Sequence, residues 1–94
     1  MKTITLRKYE NRYRSVEVKL ESFPAEVQPR NYSLFGYLCG ERLNRSKDLN
    51  IFDFDTIVYL KNSRNAKNEI EYVHCLGHRS GSDFLTPIVL KKKN

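Results

Sequence analysis

The chain has 94 residues, 17 Lys and Arg against 11 Asp and Glu, and a formal net charge of +6. That length fits one domain, because two separate cores would each be too small to hold, and it excludes large barrels and doubly wound dinucleotide folds. With 39% hydrophobic, 30% charged and 12% aromatic residues, the chain escapes the disordered class, but it predicts a thin core and a modest stability of ~5–8 kcal/mol.

The stretch from Met1 to Lys8 lacks the apolar core of a signal peptide, which points to a cytoplasmic protein. Residues 3–9 alternate, with Ile4 and Leu6 on one side and Thr3, Thr5, Arg7 and Tyr9 on the other. Residues 13–20 alternate again: Val16, Val18 and Leu20 oppose Tyr13, Ser15, Glu17 and Lys19. Period-two alternation is the strand signal, and the short polar link Glu10-Asn11-Arg12 makes the two strands a β-hairpin.

Residues 22–30 carry Pro24 and Pro29, which exclude a long helix or a central strand. The segment reads as a connector with room for one helical turn begun at Ser22 and Pro24. Over 31–43, Leu34, Phe35, Leu38, Cys39 and Leu43 recur at helical spacing. Gly36 and Gly40 would each cost about 1 kcal/mol inside a helix, so a strand over 32–39 is preferred, with Gly36 marking a bulge or a close backbone approach. Residues 41–50 are mixed and polar and read as loop.

Residues 51–60 read as the main core strand, with Phe52, Phe54, Thr56, Val58 and Leu60 on one face and Asp53 and Asp55 on the other. Residues 61–68 read as a basic hairpin loop, 69–76 as a strand, 77–83 as a turn, and 84–90 as a last strand that Pro87 places at an edge or a start. Lys91-Lys92-Lys93-Asn94 reads as a basic flexible tail beyond a single domain over 1–90. The expected fold is mainly β: a small twisted antiparallel sheet or small barrel of five to six strands in meander order. It would be closed to hide its edges, with an α+β variant if 24–43 holds a short helix.

Charge is uneven along this plan. Residues 1–20 hold 6 basic and 2 acidic side chains, 21–50 balance at 4 and 4, and 51–94 hold 7 and 5. The hairpin therefore concentrates Arg7, Lys8, Tyr9, Arg12, Tyr13, Arg14 and Lys19. Cations neutralise phosphates and exposed rings stack unpaired bases, so these residues are candidates for binding RNA or single-stranded DNA. Lys61, Arg64 and Lys67 in the basic loop are candidates for the same surface. A solvated sheet face carries the same residue types, since Tyr favours strands.

Other constellations are less specific. His74, Cys75 and His78 lack paired zinc spacing, and Cys39 lies far away in sequence; no metal and no cofactor are expected. Both cysteines read as small apolar residues of a chain too cysteine-poor for a secreted scaffold. His74, His78, Arg79, Glu71 and Tyr72 are the residue types of a metal-independent ribonuclease. Asp53 and Asp55 fit the solvent side of a strand, and such an acidic patch beside basic loops also suits a protein partner.

No run reaches the ~20 apolar residues of a membrane span, so no membrane partner is expected, and no small-molecule substrate is evident. The residues point first to a non-enzymatic RNA- or single-stranded-DNA-binding protein. The alternative is a compact protein-protein interaction module, such as a virus- or mobile-element-encoded inhibitor of a nucleic-acid-handling complex. The ribonuclease comes third.

Overall fold

A computed structural model describes residues 2–11, 14–45 and 49–93 of the chain. Among these residues the fold is mainly β, as the alternation predicts: seven strands in one sheet, with two 3-10 turns as the only helical elements. The strands are β1 (Lys2–Asn11), β2 (Arg14–Phe23), β3 (Tyr32–Cys39), β4 (Arg42–Arg45), β5 (Thr56–Arg64), β6 (Ile70–His78) and β7 (Thr86–Lys92). Their order across the sheet is β1-β2-β5-β6-β7-β3-β4. This corrects the expected meander and closure. The sheet is mixed and open, β2 and β5 pair in parallel, and β7 sits between β6 and β3.

The β1–β2 hairpin forms as expected, but β1 runs on through Asn11, so Ile4 stands opposite Leu20 and Leu6 opposite Val18. The inward side of β2 is fully buried at Val18 and Leu20. The following connector has no helix at Ser22. Its one 3-10 turn is Pro29–Asn31, where Pro29 pre-sets the backbone, and Val27 and Tyr32 drop from it into the core. Strand β3 matches the expected range, so the helical spacing over 31–43 is not used. Gly36 also meets expectation: the β3–β7 register shifts between Leu34 and Gly36, and a Cβ at Gly36 would strike the backbone of Asn44 on β4.

Several boundaries differ from the sequence reading. Residues 42–45, read as loop, form edge strand β4; Gly40, at φ +66, turns the chain back so that Leu43 pairs with Leu38. Four residues, three of them polar, carry too little alternation to announce a strand, and pairing with β3 makes it one. Residues 51–60 are not one strand. Ile51–Asp53 is a 3-10 turn closed by a capping box, in which the Asn50 side chain accepts from Phe52 N–H and the Asp53 carboxylate accepts from Asn50 N–H. That turn resets the phase: Phe54 and Ile57 are buried, while Val58 lies on the face opposite Ile57 and Leu60 is exposed. Finally, Lys91 and Lys92 are not a frayed tail. They pair in β7 with β3, and Lys93 N–H donates to the carbonyl oxygen of Asn31 at 2.7 Å.

The core occupies one face of the sheet. Val18, Leu20, Phe23, Tyr32, Ile57, Val73, Cys75, Ile88 and Leu90 point into it from the strands, and Val27 and Phe54 close it from the connectors. Each fully buried aliphatic side chain contributes roughly 1.5–3 kcal/mol relative to exposure. Phe54 lies against Gly77, where any Cβ would come within 2.6 Å of its ring. The opposite, outer face of the sheet presents the other half of every alternating strand.

Candidate nucleic-acid interface

Cross-strand register defines the outer face in rows. Val58, Leu76 and Pro87 share one row. Lys61, His74, Val89, Gly36 and Arg45 share the next. Ser63, Tyr72, Lys91 and Ser33 share the third. Val89, though only 2% exposed, stands outside the core cluster, as its place in an outer row requires.

Phe35, two residues beyond Ser33, faces this side by alternation, and the bulge that follows Leu34 brings Gly36 onto the same side. Its ring meets Tyr72 edge-on at 5.5 Å between centroids. The Arg45 guanidinium lies 4.4 Å from the Phe35 centroid, and the Lys91 ammonium lies 5.3 Å from Phe35 and 5.9 Å from Tyr72. Two rings and two cations from four strands thus form one cluster, and Lys61 and His74 continue it across β5 and β6. Arg45, Lys61 and Lys91 have no carboxylate partner among the described residues. Burial, reinforced by the nearby Lys61 ammonium, lowers the His74 pKa from its ordinary value, so the imidazole is neutral near neutral pH.

The residues singled out from sequence do not form one surface. Arg7, Tyr9 and Lys19 lie on the outer face, but Arg7 is paired with Glu17 at 2.6 Å and Lys19 with Glu21 at 3.3 Å. Lys8 points to the other face, opposite Val16, with its ammonium 5.8 Å from the Phe52 ring. Arg12 and Tyr13 lie outside the described residues. Arg14 opens β2, and only its backbone is described. Lys61 and Arg64 belong to strand β5, not to a loop, and Arg64 turns to Glu26 at 3.2 Å. Lys67 sits in the β5–β6 turn, where its N–H donates to the Asn65 side chain. Because β2 and β5 run parallel, with Lys19 beside Thr56, the Asn11/Arg14 pair that ends the described hairpin and the β5–β6 turn stand at opposite ends of the sheet.

The pleat also separates the other constellations. Cys75 is buried on the core side, where desolvation pushes its thiol up to about 12, while His74 faces outward and Cys39 is exposed. Among the described residues no group of three or more His, Cys, Asp or Glu side chains is placed to hold a metal. Asp53 is taken by the capping box. Asp55 Oδ1 lies 2.8 Å from His78 Nδ1, and His78 Nε2 lies 3.1 Å from Ser82 O. Of the ribonuclease residues, Arg79 lies over Phe54, 5.3 Å from its centroid, and both nitrogens of His78 are occupied. Tyr72 and His74 remain together on the outer face.

Phe35, Arg45 and Lys91 escaped the sequence reading of this surface. Phe35 looked like part of an apolar stripe, Arg45 like loop and Lys91 like tail; only strand order brings them to Tyr72. No protein-family model matches the chain, and it matches no curated protein and no solved structure.

Proposed function

We propose that this chain is a non-enzymatic binding domain for single-stranded RNA or DNA, and that it binds through the outer face of β5, β6, β7, β3 and β4. The observation that carries this reading is the Phe35–Tyr72–Lys91–Arg45 cluster. Unpaired bases stack on aromatic rings and on guanidinium planes, while ammonium groups take the phosphates. Here both kinds of group lie within one base-sized area on a sheet, which holds them more rigidly than a loop would. The hairpin cations contribute less than their number suggests, since Arg7 and Lys19 already face carboxylates. Two free thiols, Cys39 and Cys75, suit a reducing cytosolic setting.

The test is fluorescence anisotropy with labelled oligo(U) and oligo(dT) of about 12 nucleotides, long enough for one sheet face. Two phosphate contacts, at the ammonium groups of Lys61 and Lys91, give a log–log salt slope of about −1.4 for a single strand. Tyr72→Ala weakens binding by about tenfold, the scale of one lost stacking contact. Affinity that ignores salt, or that Tyr72→Ala leaves untouched, overturns the reading.

A further inference from the structure

At the end of the sheet near the β6–β7 loop, on the core side, Tyr37, Leu49, Phe54, Arg79, Thr86 and Ile88 line a cleft of about 210 Å³. That is smaller than the ~300–1,000 Å³ of a typical small-molecule site and suits a single side chain. Leu49, Phe54 and Ile88 make its walls apolar, and Arg79 supplies the one formal charge among these lining residues. Arg79 has no carboxylate partner among the described residues and rests on the Phe54 ring.

The loop joining two of these wall residues, Arg79 and Thr86, carries Phe84 at 75% exposure and Leu85 at 48%. An exposed phenylalanine loses contact with solvent only by meeting a partner. This one stands on a loop that is already ordered. Ser82 N–H donates to Arg79 O at 3.0 Å, and Ser82 Oγ donates to Phe84 O at 3.1 Å. Gly81, at φ +84, makes the turn, and His78 holds Ser82 O from below. An exposed aromatic on an ordered loop between two residues that line the cleft loses little entropy on binding.

We propose that this cleft docks an acidic peptide segment of a partner protein. One bulky apolar side chain fills the space between Leu49, Phe54 and Ile88, a flanking carboxylate pairs with Arg79, and Phe84 packs across the peptide. The charge of the occupant follows from Arg79, which has no carboxylate partner among the described residues, and from the net charge of +6 of the whole chain. The site is separate from the Phe35–Tyr72 cluster and stands or falls independently of nucleic-acid binding.

The experiment measures binding of labelled ten-residue peptides to the full chain: a central Phe flanked by Glu, a central Ser flanked by Glu, and a central Phe flanked by Lys. The Phe/Glu peptide binds best, and each of the other two is weaker by about tenfold or more. Arg79→Glu reverses the preference between Glu and Lys flanks, and Phe84→Ser, an exposed change, weakens the Phe/Glu peptide severalfold. Tyr72→Ala and Lys91→Glu leave peptide binding unchanged. Failure of every peptide to bind, equal binding of the Phe and Ser peptides, or a flank preference that Arg79→Glu does not alter overturns the proposal.

Discussion

His78 Nδ1 stands 2.8 Å from Asp55 Oδ1 while Nε2 of the same ring stands 3.1 Å from the carbonyl oxygen of Ser82. Neither a carboxylate nor a carbonyl can donate, so the imidazolium, with both N–H groups, is the ring form that makes both hydrogen bonds. The Asp55 hydrogen bond raises the His78 pKa, and the His78 hydrogen bond lowers that of Asp55. The link ties the start of β5 to the loop that carries Phe84, a partnership the sequence reading of His78, as a turn residue and one of the ribonuclease residue types, did not contain.

Stability therefore depends on pH in a definite sense. The His78 contribution is complete below the ordinary histidine value of about 6.5 and is lost as pH rises through its raised folded value. The Asp55 contribution is complete above about 3.9 and is lost as pH falls through its lowered folded value. The pair contributes most between those limits. His74, with its lowered pKa, acts in the opposite sense, so the comparison must be with His78→Gln. Urea midpoints measured at about pH 5.5 and 8.5 fall more steeply for the native chain than for His78→Gln; parallel curves would refute the link.

Phe54 and Gly77 are a matched pair. Phe54→Ala costs about 3–5 kcal/mol, the range for emptying a buried aromatic site. Gly77→Ala forces its Cβ to within 2.6 Å of the Phe54 ring and destabilises by about 1–3 kcal/mol through overpacking. The double change Phe54→Leu/Gly77→Ala is less destabilising than the sum of Phe54→Leu and Gly77→Ala made singly, because the smaller side chain yields the space the new Cβ needs. Strict additivity in denaturant unfolding would show that the two residues do not press on each other.

Asn50 sets where β5 begins. Asn50→Ala removes the acceptor for Phe52 N–H and costs about 0.5–2 kcal/mol, while Asn50→Asp keeps it. Chemical denaturation of both variants distinguishes a cap from a passive loop residue.

Glu17 and Glu21 hold back the hairpin cations. Their pairs with Arg7 and Lys19 are about half exposed, so Glu17→Gln/Glu21→Gln changes stability by no more than about 1 kcal/mol per pair. The change frees two cations on the same outer face as Tyr72, and oligo(U) affinity rises with a steeper salt slope. An unchanged slope would confine binding to the β5–β6–β7–β3–β4 part of the sheet.

Local pattern alone determined much of this protein. Alternation at Ile4, Leu6, Val16, Val18 and Leu20 specified the hairpin and its buried side, because the pleat period is a property of the strand itself. Pro24 and Pro29 specified the connector, and Gly36 announced a close backbone approach that Asn44 then supplies. Asn50-Ile51-Phe52-Asp53 held a capping box in plain view, but the apolar run through Leu60 concealed it, and one turn was enough to invert which residues of β5 face the core. The sequence could not say which strands are neighbours. Strand order rests on contacts between residues far apart in the chain, and no local pattern encodes them. The parallel β2–β5 pairing sent the two basic segments to opposite ends. The insertion of β7 between β6 and β3 brought Lys91, Tyr72, Phe35 and Arg45 together. The net charge of +6 was legible from composition; which cations stay unpaired, and which rings they meet, was decided by tertiary pairing.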